Sequence, residues 1–401
     1  MDERERQRRI KLLRAKRKRK RQIQRMIILS GLFLLVILCG IGFIKIVGHF
    51  LKDTTREVLS QDVDSDYQKN NATSDENQNQ ETSDKPDKIS FTETDSIEEK
   101  EIAITISLAG DCTLGQDESQ YGNTFPAKYN EVNNPAYFFA GVQSAFANDD
   151  LTIVNFEGTL TESTTRAEKT FAFKGDPSYV NILTQGSVEA VNLANNHSHD
   201  YGDQSFTDTK TYLDQSNITH FGYEETAVID VKGVKIGLVG IYELAKGIEC
   251  KTQLVENLQK VQSEGAVITI VNFHWGSEKQ YYPDDVQKEL AHTAIDNGAD
   301  LVVGHHPHVL QGIETYNGKK IAYSLGNFCF GGNKNPGDKD TMIFQQTFLV
   351  KGNQLQNVEN VNIIPCSLSS VSSTNDYQPR ILEGSEAQRV LDKIAEISAG
   401  L

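Results

Sequence analysis

Val188-Glu-Ala-Val-Asn-Leu193, running into Ala194-Asn195-Asn196-His197-Ser198-His199-Asp200-Tyr201-Gly202, is the stretch on which the fold turns. Its first half is short, apolar and β-branched, which reads as a strand. Its second half is a loop of amide, imidazole and carboxylate groups. A helical pattern over 203–216 follows. Strand, polar loop and helix in that order make the unit of an α/β domain, where ligands bind at the carboxyl ends of strands.

The same unit recurs on both sides. Ile102-Ala-Ile-Thr-Ile-Ser-Leu108 alternates with period two and runs into Gly110-Asp111. Leu151-Thr-Ile-Val154 runs into Asn155-Phe-Glu157-Gly158, and Val234-Lys-Ile-Gly-Leu-Val239 is a further strand. Ala266-Val-Ile-Thr-Ile-Val271 precedes His274-Trp275-Gly276, and Leu301-Val-Val303 precedes Gly304-His305-His306-Pro307-His308. Helices are expected over 135–148, 254–263, 284–297 and 386–398. Segments 320–324, 342–350 and 354–364 read as strands with no long helix between them, so the domain holds more β than a simple doubly wound sheet.

Five strands thus end in carboxylate, carboxamide or imidazole groups. Six of the nine histidines fall in three of these loops. Asp, Glu, Asn and His without thiolate form a mixed oxygen and nitrogen donor set, suited to Mn, Fe or Zn. Two such cations need a bridging carboxylate, and a neighbouring His that is not a ligand can move a proton. Each residue alone has a plainer reading. A strand-end Asp or Asn is commonly a cap or turn former, and Asp111 in isolation has that reading beside the ligand one. Asn155 reads as a ligand or as a loop hydrogen bonder, His199 as solvated, and Trp275 as packing or a substrate wall. Cys112 reads as a small buried thiol rather than a nucleophile. Lys174 is a candidate for meeting an anionic substrate, Asn327 a possible contributor to the site, and 331–337 a loop of the kind that makes a lid.

Taken in order, Gly110-Asp111, Asn155-x-Glu157-Gly158, Asn195-Asn196-His197-x-x-Asp200-x-Gly202, His274-x-Gly276, Gly304-His305-His306-Pro307-His308 and Ser324-Leu325-Gly326-Asn327-Phe328 resemble the CapA capsule-synthesis family over residues 102–370. That family is associated with poly-γ-glutamate capsule production and resembles the calcineurin-like metallophosphoesterases. The resemblance implies a metallophosphatase-like, four-layer α/β/β/α sandwich. By motif it implies metal ligation by Asp111, Glu157 (in the bridging position), Asn196, His274, His306 and His308, with His305 a rival to His306. It implies His197 as acid or transition-state stabiliser, and Asp200 as the group that orients it. The phosphoesterase pattern Asp-x-His is here Asp111-Cys112-Thr113, and Gly-Asp-x-x-Asp is Asn155-Phe156-Glu157. With one imidazole fewer, the site is expected to hold one or two divalent ions.

The chain of 401 residues carries 40 Lys+Arg against 55 Asp+Glu, a net charge of −15 that hides two unlike parts. Residues 1–25 hold 13 Lys/Arg and 3 Asp/Glu, and the rest of the chain is strongly acidic. An acidic body excludes nucleic acid as a natural partner. Five widely spaced Cys with no CxxC pair exclude a disulfide scaffold and a cysteine zinc site. Met26 to Ile44 is 19 residues without a charge, enough to cross a bilayer core. With the basic flank before it and no cleavage site after it, residues 1–25 are expected to be a cytoplasmic tail and 26–47 an uncleaved signal anchor. Residues 48–100, poor in large apolar side chains, are expected to be a disordered linker, and 101–401 the extracytoplasmic domain.

Two readings stay open. One is a membrane-anchored, metal-dependent hydrolase acting on a phosphoester or an anionic envelope polymer. The other is a non-catalytic component that works beside capsule synthase or export proteins.

Overall fold

The computed structural model describes residues 101–356 and 360–401. Six strands carry the residues of interest: β1 (Glu101–Thr113), β2 (Leu151–Phe156), β3 (Ala190–Asn192), β4 (Ile268–His274), β5 (Leu301–His305) and β6 (Asn327–Phe330). They belong to two large sheets. The first runs Arg380–Ile381, Val361–Ser367, Asp340–Lys351, β1, β2, β3, Thr219–Phe221, with β6 paired beside β1. The second runs Ile313–Tyr316, Lys319–Ala322, β5, β4, Val234–Tyr242, Ala227–Val231.

Period-two alternation decides what each strand faces. In β1, Ile104, Ile106 and Leu108 enter one apolar core, while Ala109 and Cys112 enter another. In β4, Ile268 and Ile270 join that first core, while Val271 and Phe273 join a third. The core shared by both sheets lies between them. The other two cores lie on the outer faces. Helices Phe125–Val132, Val180–Gln185 and Gly202–Gln215 cover the first sheet with Phe125, Ile182, Leu183 and Leu213. Helices Lys251–Ser263 and Asp285–Asp296 cover the second with Leu254, Leu258, Leu290 and Ala294. The layers are therefore helix, sheet, sheet, helix. Helix Gly384–Ser398 sends Val390, Ile394 and Ile397 into the inter-sheet core. Each such side chain removed from water contributes about 1.5–3 kcal/mol.

The extra strands after residue 313 explain why a simple doubly wound sheet does not suffice. Asp340–Lys351 pairs antiparallel with β1 along its first eight residues, splitting the early and late halves of the chain across one sheet. The expected helix over 135–148 is instead a 3-10 turn, Pro135–Phe139, and a single turn, Gln143–Phe146. Gly141 lies between them, so close to Pro379 that an added Cβ would sit 2.5 Å from its carbonyl oxygen. The strand expected over 354–364 is two, Gln354–Leu355 and Val361–Ser367. No helix among the described residues is long and apolar enough to cross a membrane. The expected tail, anchor and linker lie outside the described residues.

Candidate metal centre

Strand register builds the floor of the site. Asp111 on β1 pairs with Asn155 on β2, which pairs with Asn192 on β3, while Asn327 on β6 pairs with Asp111 from the other side. Four polar side chains therefore stand on one rung at the carboxyl end of the first sheet. The second sheet places His274 of β4 opposite His305 of β5. Asn155 Nδ2 links the two sheets, donating to Asp111 Oδ1 (2.8 Å) and lying 3.3 Å from His274 Nδ1. Asn192 Nδ2 donates to Asn155 Oδ1 (2.9 Å) and fixes its orientation.

Gly110 is what lets β6 come this close. An added Cβ would sit 1.9 Å from the Gly326 carbonyl oxygen, which itself accepts from the Asp111 N–H (3.0 Å). After β5 the chain turns through His306 at φ 94° and His308 at φ 58°, a left-handed conformation that costs non-glycine residues of order 1–3 kcal/mol. That turn puts both imidazoles over the carboxylates. One ligand atom each from Glu157, His306 and His308 lies within 4.8 Å of the others.

Around this cluster the distances are short. His308 Nδ1 lies 3.2 Å from Asp111 Oδ2, and His308 Nε2 lies 4.0 Å from Glu157 Oε1. His274 Nε2 and His197 Nε2 each lie 3.7 Å from Glu157 Oε1. His274 Nε2 also lies 2.7 Å from Asn196 Oδ1. His305 Nδ1 is 3.6 Å from Asp111 Oδ1. All six residues expected as ligands thus come together, with His305 at the Asp111 side.

The donor set fits a cation. Asp111 and Glu157 are wholly buried, yet neither oxygen of Glu157 has a hydrogen-bond donor, and Nδ1 of His305 and His306 also lack partners. A buried carboxylate with no donor is costly unless a charge meets it. The proton affinities report the same shortage of positive charge. Burial, then the Asp111 charge, pushes Glu157 up to about 8. Burial would lower His308, but the Glu157 and Asp111 carboxylates raise it to about 9. Burial also acts on Asp111, yet the His308 hydrogen bond and the His308 and His305 imidazoles hold it below the usual carboxylate range. His274, His305 and His306 are all pushed down by burial, the last two to about 4, which favours the neutral imidazole at neutral pH.

His197 stands beside the cluster. Its Nδ1 lies 2.6 Å from Asp200 Oδ2, which fixes the ring with Nε2 toward Glu157. Lys169, which no motif singles out, donates to Asp200 Oδ1 (2.7 Å) and to the Asn196 carbonyl (2.7 Å). It arrives on the loop 161–173, held by Asp117, which accepts from Arg166 (2.7 Å) and from the Ala172 N–H (2.7 Å). Only the three-dimensional path of that loop brings Lys169 here, so spacing alone carried no signal. Three of the other candidates lie elsewhere. Trp275 is core, stacked on Phe273 and donating to the Tyr323 carbonyl. His199 pairs with Asp203 at the surface, and Lys174 donates to the Ser163 carbonyl and covers the Tyr201 ring. Asn327 Oδ1 lies 2.9 Å from His308 Nδ1, and the 331–337 loop lines a cleft of about 570 Å³ that opens onto His197 and His308.

A two-sheet sandwich with a carboxylate and histidine cluster at its strand ends defines the class, and comparison with known proteins narrows it. Residues 105–332 match the model of the bacterial capsule synthesis protein family PGA_cap, and the chain belongs to that family. It is 32% identical over 248 residues to the PGA biosynthesis protein CapA of Bacillus subtilis, covering 57% of this chain and 63% of that protein. It is 28% identical over 301 residues to the capsule biosynthesis protein CapA of Bacillus anthracis, covering 68% of this chain and 71% of that one. A probable polyglutamine synthesis accessory protein of Mycobacterium tuberculosis is 30% identical over 44% of this chain and 55% of its own. Among solved structures, a hypothetical protein from Thermus thermophilus aligns with a TM-score of 0.39 at 13% identity, over 65% of this chain and 99% of that one.

Proposed function

We propose that this protein is a single-pass membrane protein of capsule assembly, of the poly-γ-glutamate type, whose folded domain is an extracytoplasmic metal-dependent hydrolase. The observation that carries this reading is Glu157, fully buried with both oxygens lacking a donor, among His197, His274 and His308. Asp111, Glu157, Asn196, His274, His306 and His308 would hold one or two divalent ions, and the donor set suits Mn, Fe or Zn. A bound ion supplies Lewis-acid activation of water and positive charge at a scissile phosphoryl or acyl oxygen. The chain's own contribution is orientation. Asp200, anchored by Lys169, fixes the His197 ring so that Nε2 can hold or move a proton at the leaving group. The burial of Asp111, Glu157 and His274 keeps bulk water from the ligand atoms.

The membrane anchor follows from the uncharged run 26–44 and its basic flank, which leave the domain outside the cytoplasm beside capsule synthase or export membrane proteins. One observation favours a non-catalytic reading. Where the phosphoesterase pattern has an imidazole, this chain has Thr113, whose buried hydroxyl has no partner. Turnover of a generic phosphodiester by the full-length protein in detergent with Mn²⁺ separates the two. Activity abolished by Asp111→Ala supports the hydrolase. Metal retained without turnover supports the scaffold.

A further inference from the structure

His305 is the last residue of β5, so the strand itself dictates where its side chain goes, whereas His306 and His308 stand on the turn that follows. Along β5, Leu301 and Val303 face the core between the sheets and Val302 faces the outer one. Alternation carries His305 to the inter-sheet side. Asn272 reaches the same side from β4, two residues after Ile270. There His305 Nε2 lies 3.4 Å from Asn272 Oδ1 on its own sheet, and Nδ1 lies 3.6 Å from Asp111 Oδ1 on the other. The residue is 1% exposed, and Nδ1 has no hydrogen-bond partner.

An approach of 3.6 Å is too long for a hydrogen bond. It is the spacing of two donors to one cation, since ligand bonds of about 2.0–2.2 Å set about 90–120° apart leave the donor atoms about 3–3.8 Å from each other. Asn272 gives the ring the matching tautomer: an Nε2–H donated to its carbonyl oxygen leaves the lone pair on Nδ1, facing Asp111. A cation at this place is a second one. Among the described residues, the group of acidic and histidine ligand atoms all within 4.8 Å of one another is Glu157, His306 and His308, and it includes neither Asp111 nor His305. Glu157 has two oxygens without a donor, enough to lend one to each ion. His308 leans toward both carboxylates, with Nε2 4.0 Å from Glu157 Oε1 and Nδ1 3.2 Å from Asp111 Oδ2.

We infer that the centre is built for two divalent ions, and that His305 Nδ1, Asp111 and Glu157 hold the second of them, with Asn272 positioning His305. This rests on the reading of the cluster as a metal centre, and it adds His305 to the six ligands of that reading. The test is elemental analysis and electron paramagnetic resonance of the full-length protein in detergent, loaded with Mn²⁺ and gel-filtered, beside His305→Phe and His305→Asn. Two equivalents and the spectrum of a coupled Mn²⁺ pair are expected for the wild type. One equivalent and the six-line spectrum of a lone Mn²⁺ are expected for each variant whose metal-free form melts like the metal-free wild type. Two equivalents in such a variant, or none, would overturn the inference. A wild type that saturates at one equivalent would overturn it too and leave the hydrolase standing. A wild type that takes up no metal would bring down both. If neither variant keeps the fold, the Zn²⁺-loaded wild type labelled with ¹⁵N-histidine decides by NMR: metal-bound imidazoles at His274, His305, His306 and His308 support the inference, and a metal-free His305 overturns it.

Discussion

Glu157 follows β2 directly, at a position where the backbone is committed before the side chain is considered. Its N–H donates to the Cys112 carbonyl, and Gly158 follows it. The side chain has no such partner, and a buried charge without one is the sort of conflict that folds tolerate at functional sites. Asp111, one strand away, differs because Asn155 and His308 share its charge. Asp117 shows a buried carboxylate satisfied in the ordinary way. Burial raises its proton affinity, but hydrogen bonds from Ser119, the Ala172 N–H and Arg166 win and hold it at about 2. That lies below the unfolded value of about 3.9, so its stabilisation is complete above pH about 4 and is lost as pH falls toward 2. Asp117→Asn should lower stability by about 1–3 kcal/mol at neutral pH and flatten the acid limb of thermal melts taken from pH 5 downward. An unchanged acid limb would mean that the clamp on the 161–173 loop lies elsewhere.

At the scale of elements, the junction of β1 and β6 sets the site's geometry. Gly110 permits the approach, and Gly326, at φ 72°, turns the chain so that Asn327 reaches His308. Gly110→Ala should separate these strands, cut stability by several kcal/mol as overpacking against backbone does, and reduce metal content with it. Melting and elemental analysis of one preparation would check both. This scale also marks where the sequence is legible. The parallel strands announce themselves because apolar runs end abruptly in Asp, Asn, Glu and His, and those ends coincide with the carboxyl edge of both sheets. The loop carrying Lys169 and Phe171 does not, because its place depends on Arg166 reaching Asp117 and Lys169 reaching Asp200, contacts that leave no periodic trace. The failed helix over 135–148 has the same cause. Its residues suit a helix, but Gly141 must pass against Pro379, far away in the chain.

For the whole molecule, the early strands β1 to β3 and the late strand Asp340–Lys351 share one sheet, so neither half of the domain is complete without the other. Consecutive strands past residue 313 hint at this in the sequence, but their order in the sheet is set by pairing with β1, which composition cannot reveal. The segment 26–44 carries the account of location. The full-length protein should stay with membranes through an alkaline carbonate wash, and its domain should be cut by protease added outside intact cells. Release by carbonate, or protection from external protease, would contradict the signal-anchor reading.

The claim that Glu157 exists to meet a cation is tested most directly by elemental analysis of the full-length protein, purified in detergent without chelator, beside Glu157→Gln. Glutamine keeps the shape and removes the charge, so the variant should remain folded and its metal-free form should melt no lower than the metal-free wild type. The account predicts one or two equivalents of a divalent metal in the wild type and almost none in the variant. A wild-type protein without metal after Mn²⁺, Fe²⁺ and Zn²⁺ are each supplied, or a variant that keeps its full complement, would contradict it.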